Sequence, residues 1–187
     1  MTKVAIFSSH NGSGFDALYQ ASKSKILDID IPLVISNNSN AKVIEKAKNL
    51  NIENYIVNDK LFPKVDEKIV ELLNRYECKY IFSSGYMKKI SPLITNNFTV
   101  INSHPSLLPL YGGAGMYGRF VHEAVINNKE LISGVTIHEV DENYDEGKII
   151  LQKTLNINKD ETAQSLETRI KALEQEAIVD GFKLCLK

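Results

Sequence analysis

Through its first hundred residues the chain alternates short, nearly continuous apolar runs with stretches whose apolar residues recur at helical spacing. Runs so apolar read as strands buried on both faces, and helices between consecutive strands are the connections that parallel pairing requires. Strands are expected at residues 3–8, 29–36, 52–57, 80–84 and 98–102, with helices at 15–25, 41–49 and 62–76. Val65, Ile69, Leu72 and Leu73 form one stripe of the third helix. The polar run 37–40 is expected to cap the second helix.

Beyond the middle the pattern changes. Residues 134–140 and 148–155 read as strands joined by a short acidic turn, hence an antiparallel pair. Residues 117–126 look helical, and 160–187 form a long amphipathic helix with Thr162 and Ser165 near its start. The expected fold class is α/β, a Rossmann-like three-layer sandwich with a mostly parallel sheet and an antiparallel far end. The whole chain, 1–187, is expected to be a single domain. Ligands of such sheets bind beyond the carboxyl ends of the strands, so segments 8–14, 84–90 and 102–109 are expected to converge there.

A formal net charge of -1 offers no general attraction to nucleic acid or anionic membrane, so any anion site must be local. Cys78 and Cys185 lack CxxC spacing, and the four His residues are scattered, which argues against a disulfide framework and a metal site. No secretory leader or bilayer-length apolar run is evident, and a cytoplasmic location is expected.

Chemistry concentrates in Asn102-Ser-His104-Pro-Ser-Leu-Leu-Pro109. Side chains alternate along an extended chain, so an Asn and a His two apart face the same way. Pro105 holds His104 extended. The segment is a stiff ledge presenting an amide and an imidazole. Asp145 lies in the acidic turn 141–147, and a carboxylate close to an imidazole favours the protonated ring. Asn102 and His104 could then donate to an oxygen that becomes negative as an amine attacks a carbonyl, with Asp145 orienting the ring and helping to move a proton.

The Asn-x-His-Pro-Ser-Leu-Leu-Pro run, Gly134-Val-Thr-Ile-His138 and Tyr-Asp145-Glu-Gly resemble the folate-dependent formyltransferases, and within them the glycinamide ribonucleotide branch. The resemblance covers nearly the whole chain. It implies formyl transfer from 10-formyltetrahydrofolate, a co-substrate, to the amine of glycinamide ribonucleotide in purine synthesis, without a metal. It implies a catalytic set of Asn102, His104 and Asp145. It also implies a phosphate loop at Asn11, Gly12, Ser13 and Gly14, and a contact from Glu174 to the glycinamide end. Folate would meet Met87, Lys88, Lys89 and Ile90, together with Asp141 and Glu142. Gly14 stands where the family usually has Asn, and Lys88 where Arg is more common. The Gly-rich segment 112–118 is read as a mobile flap. Partners are expected to be small molecules, and the state a monomer or homodimer.

Other readings remain at this stage. A formyltransferase with another acceptor, or a formyltetrahydrofolate hydrolase, would share the motif; the absence of sequence room for their extra domains weighs against them. A non-catalytic nucleotide-binding module would use only the first loop. A dinucleotide reductase fits poorly, because GxGxxG is missing and Asn37 and Asn38 stand where an acidic ribose ligand belongs. His10 reads as a solvated loop residue, His122 as surface or packing, and His138 as a strand residue of undetermined facing.

Overall fold

A computed structural model describes residues 1–186. The elements run β1 (Thr2–Phe7), α1 (Ser13–Lys23), β2 (Ile29–Ser36), α2 (Lys42–Asn49), β3 (Glu53–Ile56), α3 (Val65–Arg75), β4 (Tyr80–Ser83), α4 (Pro92–Thr95), β5 (Thr99–His104), α5 (Arg119–Asn127), β6 (Ile132–Glu139), β7 (Ile149–Asn156) and α6 (Ala163–Cys185). The seven strands follow the order β3-β2-β1-β4-β5-β6-β7 in one sheet. Its parallel pairings and its closing antiparallel pair match the expected α/β class. Contacts group the chain into two compact units, Met1–Ile101 and the residues from Asn102 onward.

In the first unit, β1 pairs in parallel with both β2 and β4, and β2 with β3. Val4, Ala5, Ile6 and Phe7 are fully buried, as their apolar run demands for a strand flanked on both edges. The loop after β1 is held by its neighbours rather than by its own turn. Ser9 N–H donates to the Gly85 carbonyl, Ser9 Oγ accepts from Met87 N–H at 2.7 Å, and Asn38 Nδ2 donates to the Ser9 carbonyl. Segments 8–14 and 84–90 therefore meet, as expected. The second helix departs from expectation: its N-cap is Ala41 without a side-chain cap, because Asn38 Oδ1 instead accepts from Asn40 N–H in a local turn. α4 lies between β4 and β5, in a stretch to which the sequence pattern assigned no element.

In the second unit, β6 and β7 pair antiparallel from Ile132↔Asn156 to His138↔Ile149. Thr162 and Ser165 form a reciprocal capping box at the start of α6. Gly181 lets α6 approach β6 closely: a Cβ there would lie 2.8 Å from Ile137 Cγ2, and Ile137 is fully buried. β6 carries His138 and α6 carries Glu174, so this close approach sets the spacing of two elements that bear polar groups. Among the described residues, no helix is long and apolar enough to cross a membrane. Neither Cys78 nor Cys185 forms a disulfide.

Overpacking a full core costs ~1–3 kcal/mol, so Gly181→Val should destabilise the protein by about 2 kcal/mol. Urea unfolding checks this, and an unchanged midpoint would show that α6 does not need the close approach.

Candidate active site

β5 continues two residues beyond its expected end, so Ser103 and His104 are strand residues as well as Asn102. The extension has a local cause, since a residue preceding proline is held extended. It also has a tertiary one. Thr136 Oγ1 donates to the Ser106 carbonyl at 2.7 Å and accepts from Leu108 N–H at 3.0 Å. Gln152 Nε2 donates to both Thr136 Oγ1 and the Leu108 carbonyl, and Ser106 Oγ donates to the Leu110 carbonyl. A buried polar network thus fixes the backbone after His104. The stiffness expected of this segment comes as much from β6 and β7 as from its prolines.

Alternation then distributes the side chains. Asn102 Nδ2 lies 3.1 Å from His138 Nε2, and His104 Nδ1 lies 3.5 Å from Asp145 Oδ2. Asp145 Oδ1 is 3.6 Å from His138 Nε2, so the three expected residues and His138 form one cluster. His104 is 4% exposed and His138 1%. Ser103, between Asn102 and His104, donates its hydroxyl to Glu174 on α6.

Hydrogen-bond geometry settles which atoms donate. His138 Nδ1 lies 2.9 Å from the Glu139 carbonyl, which can only accept, so Nδ1 carries the proton. Burial pushes the His138 imidazole below its ordinary range, more than the Glu139 carbonyl and Asp145 raise it, which favours the neutral ring. Its Nε2 is then an acceptor, and Asn102 must turn its NH₂ toward it. One amide hydrogen is used and the other is left to donate. His138 is the residue the sequence reading missed.

His104 Nε2 lies 2.7 Å from the Tyr111 carbonyl, and Gly113 N–H donates to Asp145 Oδ2 at 2.9 Å. Tyr111, just before the Gly-rich segment, and Gly113, within it, are therefore tied to the two members of the pair. Asp145 itself adopts φ 58°, a left-handed conformation that strains a non-glycine residue. Asp141 and Glu142 are exposed, with Asp141 Oδ1 accepting from Asn143 N–H. Glu174 is half-buried, and desolvation pushes its carboxyl up despite the Ser103 hydroxyl and Lys171. His122 is 2% exposed, a packing residue whose imidazole burial pushes down.

The other candidates belong to the first unit. Gly12 has φ 64° and caps α1 without a side-chain bond; Asn11 and Ser13 are exposed. Gly14 is buried, and its N–H donates to Ser84 Oγ at 3.1 Å. A Cβ on Gly14 would meet the Phe82 ring at 2.6 Å and Ser84 Oγ at 2.9 Å, so an Asn has no room. Met87, Lys88 and Lys89 are exposed and Ile90 is buried.

Known proteins of one family resemble this chain. The family model described as formyl transferase matches residues 2–181. A phosphoribosylglycinamide formyltransferase of Bacillus subtilis is 34% identical over 93% of this chain and 89% of its own length. A chloroplastic phosphoribosylglycinamide formyltransferase of Vigna unguiculata is 35% identical over 95% of this chain, which spans 59% of that relative's length. The crystal structure of phosphoribosylglycinamide formyltransferase from Bacillus halodurans superposes with a TM-score of 0.90 at 30% identity, covering 100% of this chain and 96% of that one.

The raised Glu174 carboxyl has a consequence for stability. The folded protein retains a proton that the unfolded chain releases above the ordinary glutamate range (~4.3), so stability from this group is full below that range and is lost as pH rises through the folded value. Glu174→Gln, which keeps an acceptor for Ser103, should gain melting temperature relative to the parent as pH rises above the ordinary glutamate range (~4.3). A widening deficit over that rise would contradict the assignment.

Proposed function

This chain belongs to the formyl transferase family, and on that premise we propose that it moves the formyl group of 10-formyltetrahydrofolate to the primary amine of glycinamide ribonucleotide in purine biosynthesis. The reading extends to the whole chain as a single formyltransferase domain. The observation that carries it is the cluster of Asn102, His104 and Asp145 with His138, in which donors of fixed orientation lie beside one carboxylate.

The amine nitrogen attacks the formyl carbon, forming a C–N bond and placing negative charge on the formyl oxygen. Asn102 donates its remaining amide hydrogen to that oxygen and His104 donates a ring N–H, both from a desolvated setting where such bonds are strong. Asp145 accepts a proton from the attacking nitrogen, and a proton passes to N10 of the folate as its C–N bond breaks. Tetrahydrofolate and formylglycinamide ribonucleotide leave. No step requires a metal.

The remaining roles follow the same reading. Asn11, Gly12, Ser13 and Gly14 hold the ribose phosphate on backbone amides at the start of α1, which has no side-chain cap to compete. With Gly14 barred from bearing a side chain, recognition there relies on the backbone and on Ser13. Glu174 holds the glycinamide end. Met87, Lys88, Lys89 and Ile90 line the folate, with Asp141 and Glu142, and the shorter reach of Lys88 in place of a guanidinium gives a looser grip on its glutamate tail. The partners are small molecules. The enzyme would work in the cytoplasm, where unbridged thiols such as Cys78 persist.

Formyl transfer to glycinamide ribonucleotide, followed by tetrahydrofolate release, is the direct test. His104→Ala should lower kcat by about 10²–10⁴-fold, and Asn102→Ala by about 10²–10³-fold, while calorimetric affinity for the nucleotide stays within about three-fold. Transfer by His104→Ala at the parent rate, or a parent enzyme that serves another amine instead, would overturn the proposal.

A further inference from the structure

The two ring nitrogens of His104 are committed differently. Nε2 lies 2.7 Å from the Tyr111 carbonyl oxygen, which can only accept, so Nε2 bears a proton whatever the charge of the ring. Nδ1 is 3.5 Å from Asp145 Oδ2, too far for a well-formed hydrogen bond. Nδ1 therefore retains the capacity to bond a third atom, while Nε2 is spent on the main chain.

We propose that Tyr111 is a positioning residue of this site: its carbonyl occupies Nε2 of His104 and assigns Nδ1, on the Asp145 side, to the reacting carbonyl, to which the imidazolium form of the ring donates, while its phenol anchors the Tyr111 carbonyl in place. The proposal deepens the formyl-transfer reading and rests on it for the role of His104.

Three features of the chain support the anchor. Tyr111 adopts φ 57°, a left-handed conformation that L side chains rarely hold unless their surroundings impose it. Its hydroxyl donates to Glu130 Oε1 at 2.6 Å and accepts from Asn128 Nδ2 at 3.0 Å, just beyond the end of α5. Desolvation and the Glu130 carboxylate hold the phenol above its ordinary range, which keeps it a donor. Gly112 follows, where a Cβ would strike Leu108 Cδ2 at 2.5 Å and meet Asp145 Cβ at 3.2 Å. Gly113 N–H then reaches Asp145 Oδ2 at 2.9 Å. A single stretch of backbone thus bonds the imidazole and the carboxylate, and so sets the distance between them. The phenol is where that stretch is fastened to the turn that follows α5.

Tyr111→Phe removes only the hydroxyl; Glu130→Ala removes its acceptor and Glu130→Gln restores an acceptor oxygen. Histidine-labelled protein is followed by imidazole ¹⁵N NMR, beside kcat, KM and melting temperature. Tyr111→Phe and Glu130→Ala should weaken the protection of the His104 Nε2 proton and populate the other neutral tautomer. They should also lower kcat by about ten-fold with both KM values within about two-fold, because misplacement of a reacting group acts on the bound complex. Glu130→Gln should retain the parent spectrum and rate. An unchanged His104 spectrum in both Tyr111→Phe and Glu130→Ala overturns the proposal. An inactive parent enzyme would defeat the formyl-transfer reading instead, and the spectra would still decide this one.

Discussion

Two main-chain carbonyls decide what the side chains of this site can do. The Glu139 carbonyl takes the Nδ1 proton of His138, and the Tyr111 carbonyl takes the Nε2 proton of His104. The first bond leaves His138 an acceptor, which turns the Asn102 amide so that its NH₂ group faces the cluster. The second leaves His104 its Nδ1 toward Asp145. Had the His138 ring been free to rotate or exchange tautomers, Asn102 would present its NH₂ group to the cluster only part of the time. Preorganisation of this kind avoids reorganising dipoles when charge develops.

Desolvation makes that arrangement consequential and costly. His104 and His138 are almost wholly removed from water, and Asp145 lies beside both. Charges in such a setting interact far more strongly than in solvent. Burial moves the two kinds of group in opposite directions, the His138 imidazole down and the Glu174 carboxyl up, because it disfavours the charged form of each. The His138 imidazole and the Glu174 carboxyl are thus both biased toward their neutral forms. The backbone bears part of the cost, in the left-handed conformations of Tyr111 and Asp145.

Much of this was legible in the chain itself. Apolar runs placed the strands of the first unit, and the antiparallel pair of the second followed from two alternating runs about an acidic turn. Asn102 and His104 could be picked out because Pro105 and the strand period dictate facing, and Asp145 from its acidic turn and the resemblance to the formyltransferases. His138 could not. Six consecutive residues of β6, Ser133 through His138, are buried, so the strand has no wet face and alternation carries no information about which way the ring points. The end of β5 was misjudged because its extension depends on Thr136 and Gln152, remote residues whose hydrogen bonds no local pattern encodes. Tyr111 acts through its main chain, and a carbonyl's direction leaves no mark on residue type. The departure at Gly14, by contrast, acquired a physical reason only from the packing of Phe82 and Ser84 against it.

The central claim is that an amide and an imidazole, oriented from behind by carbonyls, hold one formyl oxygen. It is met most directly by a crystal structure of the protein with glycinamide ribonucleotide and a non-transferring analogue of 10-formyltetrahydrofolate. The account places the analogue's carbonyl oxygen within hydrogen-bond distance of both Asn102 Nδ2 and His104 Nδ1, with the substrate amine on the Asp145 side. A formyl oxygen bound elsewhere, with Asn102 still turned to His138 and His104 still bonded to Tyr111, would contradict it.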